Sequence, residues 1–493
     1  MMFILALAAG ITACTKTTVS GGDYEWSEDG GLTACDNLLF TDGEEDPDGT
    51  EIGNGDQEFV FKGTQTLKKG TYLLKGWVYI ADGSELTIEP GTIIKGDKQT
   101  KASLIVERGG KLIAEGTADE PIVFTSEQPA GSRKPGDWGG VILCGKARNN
   151  QTEQQIEGGP RSKHGGDDDA DNSGVLRYVR IEFAGYPFEQ DKEINGLTLG
   201  SVGSGTRIDH VQVSYSNDDS FEWFGGTVNC DHLVAYRGWD DEFDTDNGFS
   251  GKVQFCLSVR DSRIADSSRS NGFESDNNAD GAAVSPYTSA VFSNVTFVGP
   301  KLDAAFVNST DYIDGSALYP NNGSALGLYQ SAMHIRRNSR LNCYNSLAIG
   351  WPVGIILDNQ KGDTQGAAEG GLMHIENVWF AGMDVLGTDF NGVTVDHLIT
   401  DYEGEDGEPV FDENKPSFSS SWFEAQKGNR LMDDWSALVE DDGYTPVAGS
   451  ALLGAASFDG LDGLENVGYI GAFGLDDNWL EGWTEFDPNN AEY

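Results

Sequence analysis

Residues 208–222 read IDHVQVSYSNDDSFE, and residues 230–244 read CDHLVAYRGWDDEFD. Set side by side without a gap, both carry Asp-His at their second and third positions. Both also carry Asp-Asp at the eleventh and twelfth, then Phe followed by an acid after one more residue. The interval is 22 residues. A propeller blade needs about twice that length, whereas 20-odd residues make one coil of a parallel β-helix. Coils stack about 4.8 Å apart, so equivalent positions form columns of like residues. In such columns Phe221, Phe243 and Phe273 point inward. Asn247 and Asn277 follow Phe243 and Phe273 at the same offset, as an asparagine ladder inside a turn requires.

The rest of the chain has the same grain. Short β-type runs such as LTIEPGTIIKG, ASLIVERGGKLIAEG, EPIVFTS and LRYVRIEFAG are separated by Gly, Asn and Asp. No long amphipathic helix precedes residue 415. The fold class expected is all-β, a right-handed parallel β-helix of about 22 or more residues per coil. Its expected parts are a leader (1–14), a flexible acidic tether (15–57), the β-helix (58–414) and a C-terminal capping region (415–493), because an open coil end must be covered.

LTIEPGTIIKG through GDWGGVIL resembles the opening coils of many secreted bacterial β-helix proteins. YTPVAGSALLGAASF (444–458) resembles the segment that often closes such solenoids. With VGYIGAFGLDDNWLEGWTEFDP, NDDSFEWFGG and WDDEFDTDNG, residues from about 65 to the end are similar to a family of Gram-negative envelope lipoproteins. That family, sometimes labelled as transporters, implies the β-helix fold and an envelope location but no particular chemistry.

The leader MMFILALAAGITAC is an apolar run too short to span a bilayer. It resembles a lipoprotein signal, with Ile11-Thr12-Ala13 before Cys14, which the resemblance makes the lipidated residue. An ordinary signal peptide is the alternative. The implied location is the outer membrane, periplasmic or surface face open, with outer-membrane proteins as candidate neighbours. No later segment is apolar enough to cross a membrane. The remaining cysteines, Cys35, Cys144, Cys230, Cys256 and Cys343, are scattered without a CxxC pair, so they read as buried apolar residues.

The 493 residues carry 80 Asp+Glu against 33 Lys+Arg, a net charge of −47. Such a field repels nucleic acid and favours cations or neutral polymers such as polysaccharides. With Phe243 inward, strand alternation sends Asp244 and Asp246 outward. Glu274 and Asp276 repeat them on the next coil, and Glu222 extends the column the other way. These five acids are candidate ligands for Ca2+, which takes six to eight oxygens at about 2.3–2.6 Å. Plain solvation of the patch, or a protonated acid beside an ionised one as in glycosidases, are the other readings.

Asp218-Asp219 and Asp240-Asp241 read as turn aspartates that accept backbone N–H bonds. NDDSFE faintly resembles the Asp-Asp pair of polygalacturonase-type enzymes, but their Gly-His-Gly and Arg-Ile-Lys elements have no counterpart. His210 and His232 recur with the repeat and read as a stacked, hydrogen-bonded ladder. Asp167, Asp169 and Asp171 alternate as in a calcium loop, yet lack its Gly and its twelfth-position Glu. Trp239, Arg237 and Arg260 are the ligand-binding candidates beside the acids. Trp223, Trp239 and Phe249 are rings beside the acids that could hold sugars; Trp223 equally fits the core by the parity of Phe221, Trp239 is taken as the exposed ring, and either arginine as the base a lyase needs. The catalytic residues are unknown. Three functions fit: a non-catalytic envelope module that binds glycan or another extended ligand with calcium, a polysaccharide lyase or glycoside hydrolase, and a structural stalk.

Overall fold

The computed structural model describes residues 49–493 except 152, 153, 157, 190, 191 and 405–407. Cys14, Cys35 and most of the segment 15–57 lie outside the described residues.

The repeat is one coil. Arg207–Ser214 and Asn229–Tyr236 pair in parallel with Ile208 opposite Cys230 and Val211 opposite Leu233. Phe221–Phe224 pairs likewise with Phe243–Asp246, which pairs with Phe273–Ser275. All pairings in the 17-stranded and 11-stranded sheets are parallel, and the few antiparallel hairpins are two-stranded additions. Parallel strands joined by crossovers take the right-handed path, which gives a right-handed parallel β-helix.

The larger sheet is bent into two faces. Its long strands fold at a residue in the left-handed region: Tyr178, His210, His232, Phe255 and Asn294 have φ between 48° and 56° or, at Phe255, 58°. That conformation costs a non-glycine residue roughly 1–2 kcal/mol, so the corner needs compensation. Ring stacking supplies it first, with centroids 4.5 Å apart for Tyr178–His210, 4.3 Å for His210–His232 and 4.9 Å for His232–Phe255. Each histidine also hydrogen-bonds its preceding aspartate through Nδ1, Asp209 at 2.9 Å and Asp231 at 2.6 Å. Asparagines then take over the corner, and Asn377 Nδ2 donates to Asn345 Oδ1 at 2.8 Å. The asparagine ladder therefore runs here and not at the expected pair. Asn247 Nδ2 donates to its own neighbour Asp246, and Asn277 Nδ2 donates to the carbonyls of Ala282 and Val284.

Inside, Phe221, Phe243 and Phe273 are fully buried and successive centroids lie 5.6 and 6.0 Å apart. Trp223 and Phe249 stack in the same interior at 5.3 Å. Cys144, Cys230, Cys256 and Cys343 are free and buried, as small apolar residues.

Two boundaries differ from expectation. Thr50–Ile52, placed in the tether, already pairs with Thr71–Leu74, so the first coil starts before residue 58. At the other end the short helix Phe418–Ala425 packs on the last coils of the interior. Ser417 caps it by accepting from the Ser420 amide, and Phe423 stacks on Phe380 at 4.5 Å. The rest of 415–493 is a strap rather than a lid. Arg430–Met432 adds a strand to Trp379–Ala381, and the chain then climbs back along the bent sheet. Gln212 and Glu485 exchange hydrogen bonds, Arg133 binds the Pro488 and Ala491 carbonyls, and Lys95 reaches the Tyr493 carbonyl. The outer face of this sheet is apolar (Val234, Leu257 and Leu347 are buried on it), so the strap covers surface that would otherwise meet water. Among the described residues, no helix is long and apolar enough to cross a membrane.

Candidate functional site: an acidic cleft on the third face

On the 11-stranded sheet, strand alternation sends Phe221 and Trp223 inward and Glu222 outward. Stacking in register then builds one outward column: Thr198, Glu222, Asp244, Glu274 and His334, each on its own coil. The column floors a cleft of ≈ 960 Å³. Asp266 to Ser268 and Asn322 to Ala325, from loops inserted between later coils, contribute to its lining.

All five acids of the expected column, Glu222, Asp244, Asp246, Glu274 and Asp276, line this cleft. They do not form an open solvated patch, since Glu222 and Asp276 are buried and the other three only partly exposed. Both Asp-Asp pairs and Asp266 join them, giving ten lining carboxylates. The pairs do accept backbone amides: the Asp241 N–H donates to Asp219 Oδ1 at 2.9 Å, and the Asn271 N–H donates to Asp241.

Charge is balanced at one end only. Arg336 donates to Glu274 and, at 2.8 Å, to Asp276, which also takes Arg337 at 2.6 Å. Burial favours a protonated Glu274, but Arg336, with His334 beside it, outweighs burial and holds its carboxyl down to about 2. At Asp241 and Asp246 arginine charge is too weak to offset burial. Burial, then the charge of Glu274, pushes Asp241 up to about 8. Burial and Asp276 push Asp246 up to about 7. Asp219, Asp240 and Asp244 are raised well above the carboxylate range by burial and by one another's neighbours. Two charges about 5 Å apart repel by about 3 kcal/mol at an effective dielectric of 20.

This donor set fits a hard cation. Asp218, Asp219 and Asp240 bring ligand oxygens within 4.8 Å of one another, and Asp219, Glu222 and Asp244 do the same. Oδ1 of Asp240 and Oδ1 of Asp244 are buried without a hydrogen-bond partner. Oxygen-only carboxylate clusters suit calcium. The focus is Asp219, whereas Glu274 and Asp276 are committed to arginines.

The other sequence candidates do not reach the cleft. Trp239 is fully buried, and its indole N–H donates to the Ala325 carbonyl at 3.3 Å, so it anchors the wall loop and offers no ring to a sugar. Arg260 is fully buried against Glu242 at 2.7 Å and donates to the Asp240 carbonyl at 2.6 Å. Arg237 sits at a left-handed corner, which turns it onto the flank, where it donates to the Tyr215 hydroxyl at 3.0 Å. Neither arginine is placed to take a proton from a ligand. In the 167–174 loop, Asp169 is paired with Arg148.

Sequence reasoning missed Arg336 and Arg337, which follow Glu274 only after a long insertion, so no repeat spacing points to them. It saw Asp219, but as a turn aspartate with a faint likeness to a catalytic Asp-Asp pair, and not as a cation ligand.

Coil and cleft together define a parallel β-helix protein with a carboxylate-lined groove on one face. The family model described as "pectate-lyase like beta helix domain" matches residues 60–423, well over half of the chain, and the chain belongs to that family. No curated protein and no solved structure matches it.

Proposed function

We propose that the protein is a non-catalytic envelope module that holds an extended saccharide in the acidic cleft, with calcium bound at the Asp219 carboxylates. The observation that carries this reading is the pair of carboxylate triads sharing Asp219, with Asp240 and Asp244 oxygens left unpartnered inside them. A hard cation there removes the mutual repulsion and satisfies those oxygens. The groove runs along the coil axis, so a polymer lying in it meets one rung about every 4.8 Å. Membership of a pectate-lyase-like family supports a polysaccharide-related role. In this reading the chain reaches the envelope as a lipoprotein acylated at Cys14, which mass spectrometry of the N-terminal peptide tests.

The lyase alternative loses its candidate bases, because Arg237 and Arg260 lie outside the groove and Arg336 is paired. A hydrolase reading keeps one supporting observation, an acid raised to about 8 (Asp241) whose charge is coupled to one held at about 2 (Glu274). Incubation with uronate and neutral glycans, read by unsaturated product and reducing ends, separates the readings. No release from any polymer, with calcium-dependent retention of a glycan, is expected; release of either product refutes the non-catalytic assignment.

A further inference from the structure

The cleft is a window in a face that is otherwise covered. Its floor column runs along the 11-stranded sheet in register, from Tyr79 through Ile105, Ile142 and Thr198 to Glu222. Beyond Glu274 it continues through His334 and Ile356 to Thr388. Strand alternation points all of these side chains outward. Yet among the described residues only Glu222, Asp244 and Glu274 of this column line the cleft. Tyr79, Ile105, Ile142 and Thr198 before them, and His334, Ile356 and Thr388 after them, are at most 1% exposed. Outward residues buried to that degree have other parts of the chain lying on them.

On one side the cover is apolar. Tyr79, Ile105 and Ile142 form a cluster with Ile156 and Ile194 that is separate from the interior core, and Phe188 packs against it. In the neighbouring outward column the buried His164 ring lies over Gly200, one coil before Phe224, where an added Cβ would meet the ring at 2.7 Å. At this end Gly323 packs against Pro187, and both line the cleft, so wall loop and cover join in one rim. Asn322 holds the rim by donating to the Pro135 carbonyl at 2.7 Å, and Ser324 by donating to the Asn217 carbonyl at 3.1 Å. On the other side the cover is polar. The Gly392 amide donates to Gln330 Oε1 at 2.7 Å, and Gln330 Nε2 lies 3.2 Å from His334 Nδ1. The Asn391 amide donates at 3.3 Å to Asp358, whose carboxylate sits beside His334.

Three coils stay open between the covers, about 14 Å along the axis and room for about three linked sugar rings. The volume of ≈ 960 Å³ likewise suits a pocket for one compact ligand, for which about 300–1,000 Å³ is usual. Resting on the reading of the cleft as the saccharide site, we propose that it takes the terminal rings of a saccharide chain, as a free oligomer or as the end of a polymer, and excludes an internal stretch laid along the coils. A chain continuing along the axis runs into Ile194 and His164 on one side and into Gln330 and Gly392 on the other. The covers therefore set the length of the ligand, and the carboxylates with their calcium hold what fits between.

The test is titration calorimetry of the intact chain, in calcium, with galacturonate oligomers and with glucose oligomers of two, four, six and eight rings. In the series that binds, the dissociation constant should fall at least about tenfold from two rings to four and less than about twofold from four to eight, because rings beyond the window gain no contacts. The matching long polymer should bind in proportion to its chain ends, so partial cleavage of a fixed mass should raise the number of sites. A polymer that fails to bind while the oligomers level off assigns the cleft to free oligomers. Asp219→Asn should weaken every length and leave the levelling-off where it is. Affinity that keeps climbing to eight rings, or polymer sites that follow mass and not ends, overturns the inference and leaves the cleft as a saccharide site. Full affinity in Asp219→Asn puts the binding elsewhere and overturns it too. If neither series binds at any length, the saccharide reading falls, and this inference with it.

Discussion

The backbone N–H of Asp241 donates to the carboxylate of Asp219 at 2.9 Å, tying one copy of the sequence repeat to the next at the wall of the cleft. The same 22-residue spacing that stacks Phe243 under Phe221 inside the coil stacks Asp244 under Glu222 outside it. A repeat that builds a core thus also concentrates charge, and the chain pays for that concentration with raised acid pKa values. Four consequences can be measured.

Acid neutralisation should stabilise the cation-free protein. Asp244→Asn keeps shape and removes an acid whose ionisation burial and Glu274 oppose, so unfolding in EDTA should cost about 1 kcal/mol more than for the unaltered chain. Urea titration checks this. Destabilisation would show that the column is not electrostatically strained.

The pH dependence should run opposite to that of most acidic proteins. Asp241 and Asp246 are raised to about 8 and about 7, above the ordinary aspartate value near 4. The folded state then binds protons more tightly than the unfolded state. The stability they contribute is complete below about pH 4 and is lost as pH rises through 7 to 8. Glu274, held down to about 2, acts the other way, but its contribution is lost only as pH falls from about 4.5 through 2. In EDTA the melting temperature should therefore drop between about pH 5 and pH 9, and calcium should flatten the drop. A melting temperature that rises over this range contradicts the assignment.

Arg260 and Glu242 should govern stability rather than binding. Both are fully buried, and removing one partner strands a charge, which costs about 3–5 kcal/mol. Arg260→Met should lower the denaturant midpoint sharply. In whatever folded protein remains, affinity for calcium should change far less than in Asp219→Asn.

Phe243→Ala should cost about 3–5 kcal/mol, since its ring packs between Phe221 and Phe273 in a fully buried stack. Phe243→Leu should cost markedly less. Chemical denaturation compares them.

The architecture was legible because one interval set the inward Phe column and the outward acid column together. The position of Asp244 between Glu222 and Glu274 needed only strand alternation. What the sequence hid was long-range closure. Arg336 reaches Glu274 from 62 residues further on, past a long insertion, and Trp239 is buried by a loop whose return to the cleft leaves no local signature. The corner ladder was misplaced because Asn247 and Asn277 share an offset, yet only Asn294, Asn345 and Asn377 share the bend. Period predicts neighbours on adjacent coils; it is silent about insertions that fold back.

The most direct test of the cation site is a thermal melt of the intact chain in excess calcium and in EDTA, run beside Asp219→Asn. Ligand at about 100 times its dissociation constant stabilises by about 2.7 kcal/mol, so calcium should raise the melting temperature by a few degrees, on the order of 2–5 °C for a large chain. Asp219→Asn should abolish that rise. Superimposable melts of the unaltered chain in calcium and EDTA would contradict a cation at these carboxylates and leave the columns as architecture alone.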